Sequence, residues 1–408
     1  MSKVIQINVT YNNGSTGKIT HDIHTYLTNN GVESVVLYGR GKRVKGKNIV
    51  KVGFELPAKI NKFKSLFTGN QYGYGFFATK RVIKLLAKEK PTVVHLQCLN
   101  GYFINIYKLI EWLNRNKVKT VLTLHAEFMH TANCDHSYDC KQWITGCQNC
   151  PDYHYATGSF LRNYTVKSWK RMKKAFEGFD SLTVVPVSNW LKSRVERSPF
   201  FNSHSIITIH NGIDISCFDY VKKDTDTEVL TKYNIPLDKK IVLHVTPSFD
   251  NPMKGGEYFV ELSKMFGDEY IFVVVGLSDK SFASIIHIPF TNNQRDLAVI
   301  YRSAAVLVIC SKIDNYPTVC LEANCCGTPV VGFDVGGVSE TIFPKMGETV
   351  SFGDILQMKT AVEKWATTDI DEQYIENCRA KNSKERMSSE YMSIYGLEKE
   401  KNDVRKEE

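Results

Sequence analysis

Short apolar runs rich in Val, Ile and Leu alternate along the chain with longer stretches of amphipathic, helical pattern. Five runs in each half are predicted to form strands, at residues 4–9, 34–39, 92–97, 120–125, 182–188, 206–209, 241–245, 271–276, 305–310 and 329–333. Strands that are apolar on both faces are typical of parallel sheets covered by helices on both sides. Each series therefore predicts one doubly wound, Rossmann-like α/β domain.

A length of 408 residues suits two domains of this kind. We place an N-terminal domain at residues 1–205 and a C-terminal domain at residues 206–385, because the second series of strands begins there. Residues 386–408 are polar and nearly all charged at their end, which predicts a C-terminal helix and tail.

Positive charge is concentrated in the N-terminal half. Residues 1–195 contain 29 Lys and Arg against 11 Asp and Glu, and the remainder contains 23 against 32. This asymmetry indicates an anionic partner, either nucleic acid or a membrane surface, or else a solvated basic surface. Residues 40–81 mix basic side chains with five phenylalanines, which suits an interfacial helix, RNA binding or a helix that covers the sheet. Because no nucleic-acid-binding module accompanies them, we predict peripheral contact with the inner membrane surface and no nucleic-acid partner.

The sequence has neither an apolar run long enough to span a membrane nor an apolar leader at its start, so we expect a cytoplasmic protein. Its eleven cysteines should then be mostly reduced. Cys134, Cys140, Cys147 and Cys150 fall within 17 residues, and this spacing predicts a closed structural zinc site. Free thiols and a disulfide pair are the alternatives, and His136 is a possible substitute ligand. A catalytic zinc is not expected, since four sulfurs leave no open position.

The densest group of polar residues follows the predicted strand at 305–310. Asp314 comes first, Pro317 suits the start of a helix, Glu322 lies within that helix, and Gly327 closes it. Backbone amides at the start of this helix form a phosphate site, and we assign that site to Tyr316, Thr318 and Val319. A carboxylate one turn further in can accept two hydrogen bonds from a ribose diol. Ligands bind at this edge of open parallel sheets, so we predict a nucleotide site.

Asp314 and Glu322, separated by seven residues, are followed by Cys-Gly-Thr-Pro-Val-Val and Gly-Gly-Val-Ser-Glu. This combination resembles the family 4 glycosyltransferases, and within them the bacterial enzymes of colanic acid, capsule and exopolysaccharide synthesis. The resemblance runs from Gly14 to about Glu340. It implies a GT-B fold with two Rossmann-like domains facing a central cleft, a nucleotide-sugar donor, retention of configuration and no catalytic metal. In it Glu322 would bind the donor ribose, and Asp314 the hydroxyls of the transferred sugar.

The same resemblance assigns roles to further residues. Lys254 matches a lysine that neutralises the donor diphosphate, whereas Ser248 occupies the place of an arginine and carries no charge. Gly14 and Gly17 resemble a glycine loop that faces the donor diphosphate. His125 matches a histidine that contacts the donor sugar, although Ala126 replaces the aspartate that usually follows it. We therefore predict His125, Asp314 and Lys254 as catalytic residues, and the glycines and Ser248 as part of the donor site.

The predicted function is the retaining transfer of a sugar from a nucleoside diphosphate to a lipid-linked glycan acceptor, in the synthesis of cell-surface polysaccharide. Two alternatives remain. Ser248, Ala126 and Asp314 depart from the usual pattern, which fits a non-catalytic glycosyltransferase-like subunit of a polysaccharide-assembly complex. A GT-B phosphorylase or epimerase would share the fold, and an epimerase would form product without an acceptor.

Overall fold

The computed structural model describes residues 2–282, 284–291 and 293–397. The strands of the described residues are β1 Lys3–Asn8, β2 Glu33–Tyr38, β3 Ile49–Lys51, β4 Val93–Leu96, β5 Thr120–Leu124, β6 Leu182–Pro186, β7 Ser205–Ile206, β8 Lys240–Ser248, β9 Tyr270–Leu277, β10 Ile285–Ile288, β11 Ala304–Ile309, β12 Val330–Phe333 and β13 Gly347–Val350. The α-helices of the same residues are α1 Gly14–Asn29, α2 Glu55–Thr68, α3 Phe76–Glu89, α4 Ile106–Arg115, α5 Phe128–Thr131, α6 Tyr153–Thr157, α7 Thr165–Phe176, α8 Asn189–Val195, α9 Asp226–Lys232, α10 Gly256–Ser263, α11 Gln294–Ser303, α12 Thr318–Cys325, α13 Val338–Thr341, α14 Ile355–Trp365, α15 Glu372–Asn382 and α16 Lys384–Ile394. Short 3₁₀ helices occupy Gln142–Ile144 and Pro252–Lys254.

The chain divides into two compact units, each built around one sheet. The first unit comprises Met1–Pro186, Val195–Ile209 and Met387–Glu408, and the second comprises Val187–Arg194 and His210–Arg386. Of the predicted polar tail, residues 398–408 lie outside the described residues. Two parallel α/β sheets therefore confirm the fold class that the two series of apolar runs predict.

Both sheets are parallel and reverse their strand order near the middle. The first has the order β3-β2-β1-β4-β5-β6-β7, and the second has the order β10-β9-β8-β11-β12-β13. The reversals fall between β1 and β4 and between β8 and β11. Ligands of open α/β sheets bind outside the carboxyl ends of the strands at such points. The loops that follow β1, β4, β8 and β11 are therefore the places to look for a site.

The central strands are the ones that the apolar pattern predicts best. Every residue of β4 and β5 is buried, as expected for strands that carry helices on both faces. Edge strands β3 and β13 are mostly half-buried and lack a continuous apolar run, so the pattern does not predict them. No helix in the described part of the chain has both the length and the apolar character needed to cross a bilayer.

Helix α16 carries large side chains into the core of the first unit. The Tyr391 hydroxyl lies 2.8 Å from Thr123 Oγ1, and the Tyr395 hydroxyl, just beyond the helix, lies 2.6 Å from His95 Nδ1. Tyr391, Tyr395 and His95 are all buried. The polar composition of residues 386–408 does not predict this packing, because two tyrosines make the contact.

Candidate active site

In the second unit, the loops after β8 and β11 bring a cation and a carboxylate together. Lys254 follows β8 and Asp314 follows β11, and Lys254 Nζ lies 2.7 Å from Asp314 Oδ2. The two side chains are only 29% and 20% exposed, so the pair is partly shielded from water. The sequence separation of the two residues gives no hint of this contact, which comes from the pairing of β8 with β11 in the sheet.

Glycines allow the two loops to approach each other closely. Gly255 has a φ of +67°, and a Cβ there would lie 1.9 Å from the carbonyl oxygen of Cys310. Gly336 also has a positive φ, and a Cβ there would lie 2.0 Å from the carbonyl oxygen of Asp314. The amide of Gly337 donates to that same carbonyl at 2.8 Å. Gly255 and the Gly336-Gly337 pair thus hold the backbone that carries Lys254 and Asp314.

Glu322 lies on α12, one turn in from the helix start, and is held by a buried tyrosine. The Tyr301 hydroxyl donates to Glu322 Oε2 at 2.9 Å. Burial, followed by the charge of Glu322, raises the pKa of Tyr301 well above its usual value, so the hydroxyl keeps its proton. Tyr301 was not predicted as a site residue, because nothing in its local sequence links it to Glu322.

The start of α12 lies where the pattern predicts it. Pro317 is the N-cap of α12, and Thr318 and Val319 are its first two residues. Their amides lie in the first turn, where backbone N–H groups have no acceptor within the helix. Tyr316 is buried and stacks on His210, with ring centroids 5.1 Å apart and an interplanar angle of 8°. His210 is thus a neighbour of the predicted donor site.

Glu340, which the resemblance includes without a role, caps another helix. Its carboxylate accepts from the amides of Asn189 and Trp190 at 2.7 and 2.6 Å, and His210 Nε2 lies 3.1 Å away. Burial raises the pKa of Glu340, and the hydrogen bonds from His210 and the two amides outweigh that effect and lower it. Glu340 therefore stays charged and fixes the start of α8 and the ring of His210.

Ser248 ends β8, opposite Leu277 of β9. Its carbonyl accepts from the amide of Asn251 at 3.3 Å. Among the described residues, no hydrogen bond joins its side chain to Lys254 or Asp314. Ser248 therefore shapes the turn that leads to Lys254, and any contact with a donor remains a prediction.

In the first unit, the two glycines of the predicted loop lie in the first turn of α1, which follows β1. Gly14 has a φ of +67°, and a Cβ there would meet nothing within 4 Å. Gly17 packs against its own turn: a Cβ there would lie 2.8 Å from Thr10 Oγ1, and its carbonyl accepts from the Asn12 amide at 2.9 Å. Asn8 at the end of β1 ties the loop together through the carbonyls of Thr10 and Thr16.

His125 directly follows β5 and is only partly exposed. Its Nε2 lies 2.9 Å from Gln97 Oε1, and Gln97 in turn donates to Gln6 at 3.2 Å. Burial lowers the pKa of His125 to about 4, so the ring is neutral near pH 7. A neutral ring whose Nε2 donates to Gln97 keeps Nδ1 as an acceptor.

The resemblance leads us to expect an aspartate at position 126, where this chain has Ala126. The neighbouring Glu127 does not take over that role. It is fully buried, and its carboxylate accepts from the amide and hydroxyl of Ser137 at 3.1 and 2.6 Å. His130 Nε2 lies 3.5 Å away. Glu127 thus anchors the cysteine-rich loop.

The structure does not support the predicted zinc site. Among the described residues, no group of three or more His, Cys, Asp or Glu is arranged to hold a metal ion. Cys134, Cys140, Cys147 and Cys150 are free thiols. Burial raises the pKa of Cys147 to about 12, and Asn133 Nδ2 lies 3.6 Å from its sulfur. The prediction rests on spacing alone, and spacing does not fix the arrangement of the four sulfurs that a tetrahedral site needs.

Two other buried histidines predict a pH dependence of stability. Burial lowers the pKa of His95 from 6.5 to about 3 and that of His244 to about 4. Below pH 6.5 these two histidines therefore bind protons in the unfolded chain but stay neutral in the folded chain. The free energy of unfolding should fall as pH drops from 6.5 toward 4. Each histidine should contribute roughly 1.4 kcal/mol per pH unit in that window. Urea unfolding across this range measures the effect, and a stability that does not change between neutral pH and the lower end would contradict it.

The comparisons with known proteins agree with this architecture. Residues 16–216 match the model of Glycosyltransferase Family 4, and residues 226–381 match that of Glycosyl transferases group 1. WcaC of Escherichia coli (strain K12), which its name assigns to colanic acid biosynthesis as a glycosyl transferase, is 25% identical over 96% of this chain and 99% of its own length.

Two solved structures share the fold. Sucrose-phosphate synthase from Thermosynechococcus elongatus has a TM-score of 0.67 and 16% identity, over 97% of this chain and 98% of its own. Anabaena HepE in complex with UDP-glucose has a TM-score of 0.64 and 11% identity, over 97% of this chain and 100% of its own.

Two parallel sheets with polar loops at their reversal points, together with these matches, define a glycosyltransferase of the GT-B fold. The chain is a glycosyltransferase that combines a family 4 domain with a group 1 domain, and it is an enzyme of glycan biosynthesis.

Proposed function

We propose that this enzyme transfers a sugar from a nucleoside diphosphate to a hydroxyl of a glycan acceptor, with retention of configuration and without a catalytic metal. The observation that carries the proposal is the contact of Lys254 with Asp314 at the carboxyl edge of the second sheet, beside its reversal point, with Glu322 on the helix that follows Asp314. The UDP-glucose complex of HepE and the colanic acid assignment of WcaC support a nucleotide-sugar donor and a polysaccharide product.

Each group has a proposed task. Glu322, with one oxygen held by Tyr301, accepts hydrogen bonds from the donor ribose. Lys254 offsets the negative charge that grows on the leaving diphosphate, and Asp314 positions hydroxyls of the transferred sugar. The first-turn amides near Tyr316, Thr318 and Val319 bind phosphate oxygens. Ser248 shapes the Lys254 turn, and Gly14 and Gly17 give the donor close access to backbone.

His125 and the acceptor belong to the first unit in this proposal. The neutral His125 ring hydrogen-bonds the transferred sugar, with its orientation set by Gln97. The acceptor is linked to lipid, and the enzyme works in the cytoplasm at an anionic membrane surface. The excess of basic residues in the first unit supports that location.

Donor binding tests the proposal. UDP-, GDP- and ADP-sugars are titrated into the intact protein by calorimetry, and we expect one of them to bind. Glu322→Ala removes a charged acceptor of hydrogen bonds, so its Kd for that donor should rise about tenfold to a hundredfold. Glu228→Ala, an exposed glutamate of the same unit, is the control and should bind as the parent does.

A folded parent protein that binds no sugar nucleotide would favour the non-catalytic subunit, which the uncharged Ser248 motivates. Product that appears from the donor without any acceptor would favour the epimerase.

A further inference from the structure

Helix α2 presents its large apolar side chains to solvent. Its buried residues are only Ala58 and Ser65. Leu56, Ile60, Phe63 and Phe67 recur at helical spacing and are 69%, 45%, 62% and 43% exposed. An ordinary surface helix turns such a stripe toward the core, so a stripe that faces outward indicates a partner.

A second segment extends this stripe. Phe160 and Leu161, in the loop after α6, are 69% and 65% exposed. The Phe160 amide donates to the carbonyl of Leu66 at 2.9 Å, which fixes the loop beside the last turn of α2. The rings of Phe63 and Phe67 contact each other with centroids 4.9 Å apart. We call the six residues of the α2 stripe and this loop the apolar face: Leu56, Ile60, Phe63, Phe67, Phe160 and Leu161.

The segments that carry the apolar face are strongly basic. Residues 56–88 contain seven Lys or Arg and no Asp or Glu, and residues 153–176 contain six and none. Lys59, Lys62 and Lys64 of α2 are exposed among the apolar residues. Apolar groups surrounded by uncompensated cations are complementary to a surface with an anionic layer above a hydrocarbon layer.

An open pocket of about 430 Å³ adjoins the end of α2. Its charged lining residues are Arg162 and Lys167, and neither makes a salt bridge within the part of the chain that the structure describes. Thr68, Asn70, Tyr74, Asn163 and Tyr164 complete the lining with hydroxyl and amide groups. The Thr68 and Tyr74 hydroxyls lie 2.9 Å apart. Two cations with neutral donors around them suit a phosphate group.

We propose that the apolar face docks on an anionic phospholipid bilayer and that Arg162 and Lys167 bind a lipid headgroup phosphate in this pocket. Phe63, Phe67 and Phe160 then enter the interface, and the lysines of α2 lie among the headgroups. The inference deepens the proposed membrane partner, and its test does not depend on sugar transfer.

The observations favour a bilayer over two other partners. Leu56, Ile60 and Leu161 are aliphatic and offer no flat ring on which a base could stack, whereas acyl chains accept them as readily as they accept phenylalanine. A second copy of the chain would bring two strongly cationic surfaces together, which repel each other.

Vesicle sedimentation of the full chain tests the proposal. Vesicles of phosphatidylcholine alone are compared with mixed vesicles of phosphatidylcholine and phosphatidylglycerol. The parent should bind the mixed vesicles much more tightly. Phe63→Ser with Phe67→Ser should weaken that binding on the order of tenfold or more, because two exposed rings no longer enter the interface. Arg162→Gln and Lys167→Gln should weaken it about fivefold each on mixed vesicles and leave binding to neutral vesicles unchanged.

Matched controls separate the surface from general effects. Leu237→Ser removes an equally exposed apolar residue of the second unit, and Lys264→Gln with Lys280→Gln removes two exposed charges there. Both should bind vesicles as the parent does. Every variant should keep the donor affinity of the parent, which shows that it is folded and separates this test from that of the proposed function.

Three results would overturn the inference. Equal binding of the parent to neutral and mixed vesicles would remove the role of the cations. Binding of a single-stranded RNA that is lost in the phenylalanine variant would reassign the surface to nucleic acid. A dimer in solution that the phenylalanine variant dissociates would reassign it to a second copy of the chain.

Discussion

Lys254→Met should lower kcat for sugar transfer about a hundredfold to a thousandfold, the usual effect of removing one group that stabilises charge in a transition state. The lysine is held at the end of the β8 loop, and its ammonium faces the carboxylate of Asp314 at 2.7 Å. Under the proposed function Lys254 faces the donor diphosphate, and because Ser248 supplies no second cation, we expect Lys254 to carry a larger share of that charge than in a relative that has an arginine there. Lys254→Arg keeps the charge and should retain more activity than Lys254→Met.

A double variant distinguishes the two possible roles of Lys254. If the lysine only balances Asp314, then Lys254→Met combined with Asp314→Asn should be no slower than Asp314→Asn alone. If it acts on the diphosphate, the double variant should be slower than Asp314→Asn by most of the single-variant effect. Single-turnover assays at saturating donor measure the step, and Lys264→Met serves as an exposed control. Full activity of the Lys254→Met variant would show that the charge lies elsewhere.

Gly255→Ala should destabilise the second unit by roughly 2–4 kcal/mol, because it adds backbone strain at positive φ to a steric overlap. The new Cβ would lie 1.9 Å from the carbonyl oxygen of Cys310, and backbone cannot move aside as a flexible side chain can. Displacement of the loop should also move Lys254 away from Asp314. Thermal and urea unfolding measure the first effect, and donor affinity measures the second.

Gly353→Ala is the matched control for this substitution. Gly353 has a φ of +79°, but a Cβ there would meet nothing within 4 Å. It should therefore cost only the strain, about 1 kcal/mol or somewhat more. An equal loss of unfolding free energy in the two variants would mean that the backbone at Cys310 moves to accommodate the new Cβ. The close packing of the two loops would then not be required for the fold.

Local pattern predicts the central part of this protein well. The runs at 92–97, 120–125 and 241–245 are apolar on both faces and fall on the buried strands β4, β5 and β8. Asp314 and Glu322 could be identified because the acids, the proline and the glycine of that segment are local to one strand–helix unit. Edge strands such as β3 and β10 are short and half-buried, so periodicity is weak there.

Contacts between distant segments could not be predicted in the same way. The hydrogen bond from Tyr301 to Glu322 and the stacking of His210 on Tyr316 depend on the packing of separate elements. Glu127 shows that a carboxylate next to an expected site position can be buried in a structural role. The predicted zinc site lacks support for a related reason, because the separation of cysteines along a loop does not determine the loop conformation.

The tyrosines that follow the second unit have a consequence for the order of synthesis. His95 contacts Tyr395 and Thr123 contacts Tyr391, across 300 and 268 residues of sequence respectively. A ribosome makes the sheet that contains β4 and β5 first, yet it makes the two tyrosines, on α16 and just beyond it, only after every strand of the second unit. The first unit therefore begins to leave the ribosome first but is completed last. Until the two tyrosines have been synthesised, His95 and Thr123 lack their native hydroxyl partners.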